Sequence, residues 1–341
     1  MDINYFFIIS LVFAILFIIS KKFDFFNDDI SYSNHKIIGA ENRSPLVIGG
    51  IFFVIVFLYF NPYSSINFNI TILLITFLGL MSDKNIFPNP SIRLVIQILI
   101  LLNFVYFAEL QINDVRIDLL NRLLSNNIFN IFFTVFCLAI LINGTNFLDG
   151  LNGLVSGYYL IVLLSIIYLI DNNFNIIEVE FLKIVFLTLT IFYIFNILGF
   201  VYLGDSGSYL IAFVIGVHMI ELNEIKYLIS PYYIVSLLWY PAFENLFSFL
   251  RRVLKRINVS NADNMHLHQL LYLFIESKKI LSIKILNSVS SLIILFLNIP
   301  GIVLSNLYIS KSVPLLKIIF VNIFFYLLIY YFLAKSLKRK K

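Results

Sequence analysis

Charged side chains are scarce in this chain, and that scarcity decides its class. Only 13% of its 341 residues are Asp, Glu, Lys or Arg, whereas a water-soluble domain carries about a quarter. The shortfall excludes an ordinary soluble protein. Cysteine is nearly absent. The single Cys137 lies inside an apolar run, so no intrachain disulfide can form and no oxidising compartment is implied. The start, Met1-Asp-Ile-Asn-Tyr5, lacks the basic segment of a cleaved signal, so residues 6–20 are expected to stay as a first span. No repeat period and no inverted repeat stands out.

What is abundant is apolar. Hydrophobic residues make up 60% of the chain, the mean hydropathy is +0.95, and the runs have about the length that crosses a hydrocarbon core. The expected fold is an all-α integral membrane protein in a single domain over 1–341. It is a polytopic helical bundle of about eleven transmembrane helices near 3–20, 46–60, 70–82, 92–108, 128–143, 154–170, 182–199, 209–221, 229–248, 281–304 and 313–334. Several are short and need tilt or bilayer thinning to cross. Lys and Arg set the orientation. Eighteen fall after odd-numbered spans or in the C-terminal tail, and six (Arg116, Arg122, Lys183, Lys226, Lys311 and Lys317) fall on the other side. By the positive-inside rule the N-terminus lies outside and the C-terminus is cytoplasmic. The net charge of +5 thus reports topology and contact with anionic headgroups, not a nucleic-acid surface. Residues 109–127 fall outside, and their partly amphipathic leucines suit the outer membrane surface.

The polar clusters share one side. The first cytoplasmic loop, 21–45, carries Asn34-His35-Lys36 and Arg43-Ser-Pro45 and leads into Gly49-Gly50. The others are 83–91, 144–153, 200–208 and 249–280. They bring Ser82-Asp83, the run Asn143-Gly-Thr-Asn-Phe-Leu-Asp149-Gly-Leu-Asn152-Gly-Leu154, Gly204-Asp-Ser-Gly-Ser208, Arg251-Arg252-Val-Leu-Lys255-Arg256 and Asp263-Asn-Met-His266-Leu-His268-Gln269. Asn143, Asn146, Asp149 and Asn152 recur every third residue. Each such step turns a helix by about 300°, so neighbours approach one another but the first and last diverge. The glycines let the chain open there, and a helix end leading into a polar turn is expected, with Asp149 and Asn152 sharing one target.

Each cluster also has an ordinary explanation. Asp205 suits a helix cap, Asp83 a solvated pair with Lys84, and the arginines membrane anchors. Gly204-Asp-Ser-Gly-Ser208 has neither the spacing nor the ending of a Walker A loop. His266 and His268, two apart, are not a helical zinc pair. Glu244, beside Pro241 inside a span, needs a partner, and Arg251 or Arg252 is the expected one. Together, Asp83, Asp149, Asn152 and Asp205 are hard oxygen donors without thiolate, which suits Mg²⁺ or Mn²⁺, and the nearby cations suit a diphosphate. The combination points to phosphoryl transfer from a nucleotide-sugar to a lipid phosphate.

With these residues the chain resembles the polyprenyl-phosphate N-acetylhexosamine-1-phosphate transferase superfamily (glycosyltransferase family 4), in its bacterial undecaprenyl-phosphate branch. The likeness runs over roughly 34–271 in the family's motif order. Ser82-Asp83 stands where the family has Asp-Asp. The Asn143 to Leu154 run matches Asn-x-x-Asn-x-x-Asp-Gly-x-Asp-Gly-Leu, with Asn152 for the second Asp. Gly204 to Ser208 matches Gly-Asp-x-Gly-Ser, and His266-Leu-His268-Gln269-Leu270 matches the His motif, with Gln for the third His. Pro45 to Gly50 is one residue longer than the family's Pro-x-x-Gly-Gly. The resemblance implies Asp83, Asp149, His266 and His268 as catalytic residues and Asn152 and Asp205 as ligands of Mg²⁺. It implies Asn143, Asn146, Arg252, Arg256, Gly49 and Gly50 as substrate contacts. The partners implied are UDP-N-acetylhexosamine and undecaprenyl phosphate at a bacterial cytoplasmic membrane, with no nucleic acid. A homodimer is one expectation for its assembly. Three other readings compete: a transporter or flippase, a relative that binds without turnover, and a transferase for the muramyl-pentapeptide nucleotide.

Overall fold

The computed structural model describes residues 3–23, 46–61, 65–173, 178–223, 229–256 and 265–338. The motif residues Asn34-His35-Lys36, Arg43-Ser-Pro45, Asp263 and Asn264 lie outside them. The described residues form thirteen helices and two short strands: α1 (Ile3–Phe23), β1 (Leu46–Val47), α2 (Gly49–Phe60), α3 (Ile66–Asp83), α4 (Pro90–Phe107), α5 (Asp118–Leu124), α6 (Asn127–Leu148), α7 (Leu154–Asn173), α8 (Glu178–Ile197), β2 (Val201–Tyr202), α9 (Gly204–Asn223), α10 (Pro231–Leu254), α11 (Leu267–Glu276), α12 (Ile283–Asn306) and α13 (Ser312–Lys338). Every expected span falls largely on a helix, although 46–60 opens on β1 and becomes helical only at Gly49. Eight of them (in α1, α3, α4, α6, α8, α9, α12 and α13) are long and apolar enough to cross a bilayer, by length and composition. Of the other three, α2 and the Leu154–Leu169 part of α7 are apolar but shorter, and α10 carries Glu244, Arg251 and Arg252.

Local chemistry sets several helix starts. Asn89 and Asn126 accept hydrogen bonds from the backbone N–H groups of Ser91 (2.9 Å) and Phe129 (3.1 Å), capping α4 and α6. Pro90 and Pro231 take the first turn of their helices, where no N–H is needed. Pro241, inside α10, leaves the carbonyl of Leu237 without its helical donor. The Tyr158 hydroxyl of α7 supplies one at 2.7 Å. In an apolar bundle such a carbonyl has no water to turn to, so this bond allows α10 to keep its proline.

The axis is α9. In its spanning window 94% of residues are buried, against 11% in α13 and 17% in α1. It is apolar on every side from Tyr209 to Ile215, the pattern of a helix surrounded by others. It packs on α2, α3 and α6; α7 pairs with α8, α10 lies against α6 and α13, and α11 sits between α12 and α13. The bundle has two polar ends. At one, β1 runs parallel to β2, Leu46 beside Val201 and Val47 beside Tyr202, joining the entries to α2 and α9. At the other, Arg116 donates to the Ser310 carbonyl (2.7 Å), the Ser230 N–H to the Ile309 carbonyl (2.8 Å) and Asn223 to the Asp114 carbonyl (3.2 Å). The short α5 lies at this second end, with Leu119 and Leu123 exposed and Leu124 buried.

Several expected boundaries need correction. Residues 144–148 are helical, not loop, because α6 runs to Leu148. The polar turn begins only at Asp149. Residues 204–208 form the first turn of α9, and 249–280 contains the end of α10 and all of α11. Gly144 does not open the helix. It leaves room for the Pro241 carbonyl of α10, which a Cβ would strike. Gly79 serves the same purpose where α3 crosses α9, since a methyl group there would collide with the backbone of Ser206.

Backbone cannot retreat as a side chain can. Gly79→Ala is therefore expected to lower stability by about 2 kcal/mol or more. Gly157→Ala, which would meet only side-chain atoms of Leu295 and Tyr193, is expected to lower it by less. Thermal unfolding in detergent micelles checks the order.

Candidate functional site at the start of the axial helix

The first turn of α9 has N–H groups without helical partners and the positive end of the helix dipole. One side chain from another helix meets them. Asp83, the last residue of α3, accepts through Oδ1 from the Asp205 N–H (2.7 Å). Through Oδ2 it accepts from the Ser206 N–H (3.2 Å) and the Ser206 hydroxyl (2.9 Å). Gly204 makes this possible. Its φ of +72° turns the chain sharply from β2 into α9, and a Cβ there would lie 2.8 Å from Asp83 Oδ2. Asp83 is thus a cap supplied across the helix interface.

Asp205, buried at 3% exposure, has its own partners. Its Oδ2 accepts from the Ser82 hydroxyl and from Arg93 Nη1 at 3.0 Å, and Arg93 also donates to Ser82. Ser82 therefore accepts from the cation and donates to the carboxylate, and places no second negative charge beside Asp205. Arg93 was not singled out from sequence; it had counted only as a cytoplasmic cation. The available signal was the short 84–89 connection, which makes α3 and α4 antiparallel neighbours and returns the first turn of α4 to Asp83.

From α6, Asn146 meets the first turn of α9: its Oδ1 accepts from Ser208 Oγ (3.3 Å) and its Nδ2 donates to the Tyr209 hydroxyl (3.4 Å). Asn143 donates to Gln97 Oε1 of α4 (2.7 Å), while Gln97 Nε2 is buried with no partner among the described residues. One residue beyond Asn146, and so about 100° round the helix, Phe147 meets a different set of neighbours. Its ring lies 5.1 Å from that of His266 and 5.8 Å from the Arg252 guanidinium. The end of α6 therefore separates two polar clusters, one around Asp205 and one around His266.

In the second cluster His266 Nδ1 lies 2.9 Å from Glu244 Oε1, and the Tyr326 hydroxyl donates to Glu244 Oε2 at 2.7 Å. Glu244 is thus partnered by His266 and Tyr326, not by the expected arginines. Arg251 instead donates to the Met265 carbonyl, to Tyr330 (2.9 Å) and to Ser248 (3.1 Å). Gln269 closes the start of α11 by accepting from the His266 N–H at 3.2 Å. His268 is fully buried, and among the described residues neither ring nitrogen has a hydrogen-bond partner. Burial and the neighbouring His266 push it down to about 3, so it is neutral at cellular pH.

The remaining candidates are more dispersed. Asp149 caps the end of α6. The Asn152 N–H is held by Asn287 Oδ1 of α12 at 2.6 Å, and the Gly153 N–H by Asn196 Oδ1 at 2.8 Å. Gly49 and Gly50 are buried where α2 meets Leu203 and Ser206, and Arg256 is exposed beyond the end of α10. Among the described residues no three His, Cys, Asp or Glu side chains group as a metal-holding set.

Residues 65–223 match the family model described as glycosyl transferase family 4. Over 151 residues the chain is 28% identical to a Bacillus subtilis (strain 168) protein described as a probable undecaprenyl-phosphate N-acetylglucosaminyl 1-phosphate transferase. That alignment takes in 41% of this chain and spans 40% of the length of its relative. The family segment includes Ser82-Asp83, Asn143 to Leu154 and Gly204 to Ser208, and leaves out Gly49-Gly50 and the His266 cluster.

Removing Arg93 would strand a buried carboxylate. Arg93→Met is expected to lose about 3 kcal/mol of stability, and Asp205→Asn in that background to recover part of it. A thermal-unfolding cycle on the two single variants and the double variant measures the coupling.

Proposed function

We propose, from the match of residues 65–223 to glycosyl transferase family 4, that this chain transfers N-acetylhexosamine-1-phosphate from a UDP-sugar to undecaprenyl phosphate. An oxygen of the lipid phosphate attacks the β-phosphorus of the donor. The new P–O bond forms as the bond from that phosphorus to the α–β bridging oxygen breaks, and UMP leaves with that oxygen. The lipid-linked sugar diphosphate would initiate an envelope glycan. The reading includes eleven spans, the N-terminus outside and the active site facing the cytoplasm of a bacterial cell.

The observation that carries this proposal is the meeting of Asp83, Arg93 and Asp205 at the buried start of α9. Its acids lie at helix ends rather than in mid-span, which favours an enzyme at the membrane boundary over a transporter. Asp83 acts by position. Both its oxygens hold α9, and a phosphate with a second pKa near 6 is largely dianionic at neutral pH without a base. Arg93 and Arg252 offer planar guanidinium forks suited to phosphate oxygens. His266 and Arg252 face Phe147, where they would stabilise charge on the departing UMP.

The oxygen-only donors Asp205 and Asn152, with Asp149 nearby in sequence, fit Mg²⁺ in chemistry, and Arg93 is the charge that an ion at Asp205 would share or displace. When bound, the ion would offset charge on the diphosphate oxygens. A relative that binds without turnover is the second reading. It is favoured by the neutralised Asp205 and by the lack of a three-ligand cluster among the described residues.

Purified protein incubated with UDP-N-acetylhexosamine candidates, undecaprenyl phosphate and Mg²⁺ is expected to yield UMP and a lipid-linked sugar diphosphate. Release of UDP would identify a different transfer, and no release would favour the binding-only reading. Asp83→Asn and Asp205→Asn are each expected to lower kcat by about 100-fold or more while donor affinity stays within about threefold. Normal turnover in both would defeat the assignment.

A further inference from the structure

The carboxylate of Glu244 has no place in the chemistry above, yet it is fully buried within α10 and held from two sides. A carboxylate in such surroundings is costly unless its oxygens are matched. Here one oxygen meets His266 Nδ1 at 2.9 Å and the other accepts from Tyr326 at 2.7 Å. Tyr326 comes from α13, 82 residues further along the chain. It is among the few buried residues of that otherwise exposed helix. Its ring is set edge-on against Phe243 at 5.0 Å and stacked with Tyr330 at 6.2 Å.

We propose that Glu244 and Tyr326 are positioning residues that fix the tautomer and orientation of His266. An ionised carboxylate only accepts hydrogen bonds, so the ring nitrogen facing it must carry a proton. Nδ1–H is therefore pinned toward Glu244, which makes Nε2 the unprotonated, accepting nitrogen of the ring. Tyr326 in turn prevents the carboxylate from rotating away. The other ionisable groups around Glu244 are His268 at the start of α11 and Tyr240 on α10 itself. The neutral His268 stacks on His266 at 5.7 Å and limits its tilt. The C-terminal helix, outside the segment shared with the family, thereby reaches the site. The catalytic consequence rests on the function proposed above, whereas the tautomer does not.

The chain has four histidines, so ¹⁵N-histidine labelling with His266→Ala for assignment can isolate this ring. The expected spectrum has Nδ1 of His266 protonated in the wild type. Glu244→Gln, whose amide can turn either end to the ring, and Tyr326→Phe are expected to mix in the Nε2–H form. An unchanged His266 signal in both variants overturns the proposal, whatever the protein catalyses. If Glu244→Gln does not accumulate, Tyr326→Phe alone decides. In the UMP-release assay, Glu244→Gln is expected to lower kcat by at least about tenfold with donor KM little changed. It should add little to the loss in His266→Ala. Losses that multiply with His266→Ala, or lowered thermal stability with normal kcat, also overturn it. A wild type that releases no UMP sinks the transferase reading and leaves the spectroscopic arm standing.

Discussion

The bond between the Asp83 carboxylate and the opening turn of α9 is the constraint on which the rest of the site depends. It joins residues 122 positions apart and meets the positive end of the most buried helix in the bundle. Without it α9 would begin with bare N–H groups inside an apolar assembly. With it the next residue, Asp205, is fixed in direction, and Ser82 and Arg93 follow because they lie beside Asp83 on α3 and across the short turn into α4. Small residues let the backbones close in. Gly79 and Gly50 admit Ser206, and Gly204 makes the turn.

A second layer of polar contacts holds the motif turn without belonging to it. Asn196 and Asn287 grip consecutive N–H groups at 153 and 152 from α8 and α12, and Asn196 also donates to the Val201 carbonyl at 2.8 Å. One asparagine therefore links the start of α7 to β2, which leads into α9. The two clusters share the end of α6, where Asn146 meets one and Phe147 the other.

Much of the fold was legible because apolar runs of membrane length have few alternatives. All eleven fall largely on helices, and among the described residues Asp83 meets Asp205 and the end of α6 meets both Ser208 and His266. The errors have physical causes. Gly144 looked like a breaker and proved to be a contact surface for Pro241, a distinction that depends on a helix a hundred residues away. Glu244 was paired with the arginines of its own helix because local spacing is all that a sequence displays. Its partners come from α11 and α13, and nothing near position 244 points to Tyr326. Arg93 was visible in the sequence but was read as topology. The 84–89 connection was short enough to reveal that it returns to Asp83.

Cross-linking of Asp83→Cys with Ser206→Cys, in a Cys137→Ser background and under mild oxidation, tests the central contact most directly. The two native side chains end 2.9 Å apart, so a disulfide between 83 and 206 should form readily and appear as a linked peptide by mass spectrometry. If the pair stays reduced while Asn146→Cys and Ser208→Cys join, the capping of α9 by α3 is wrong, and the site built upon it fails with it.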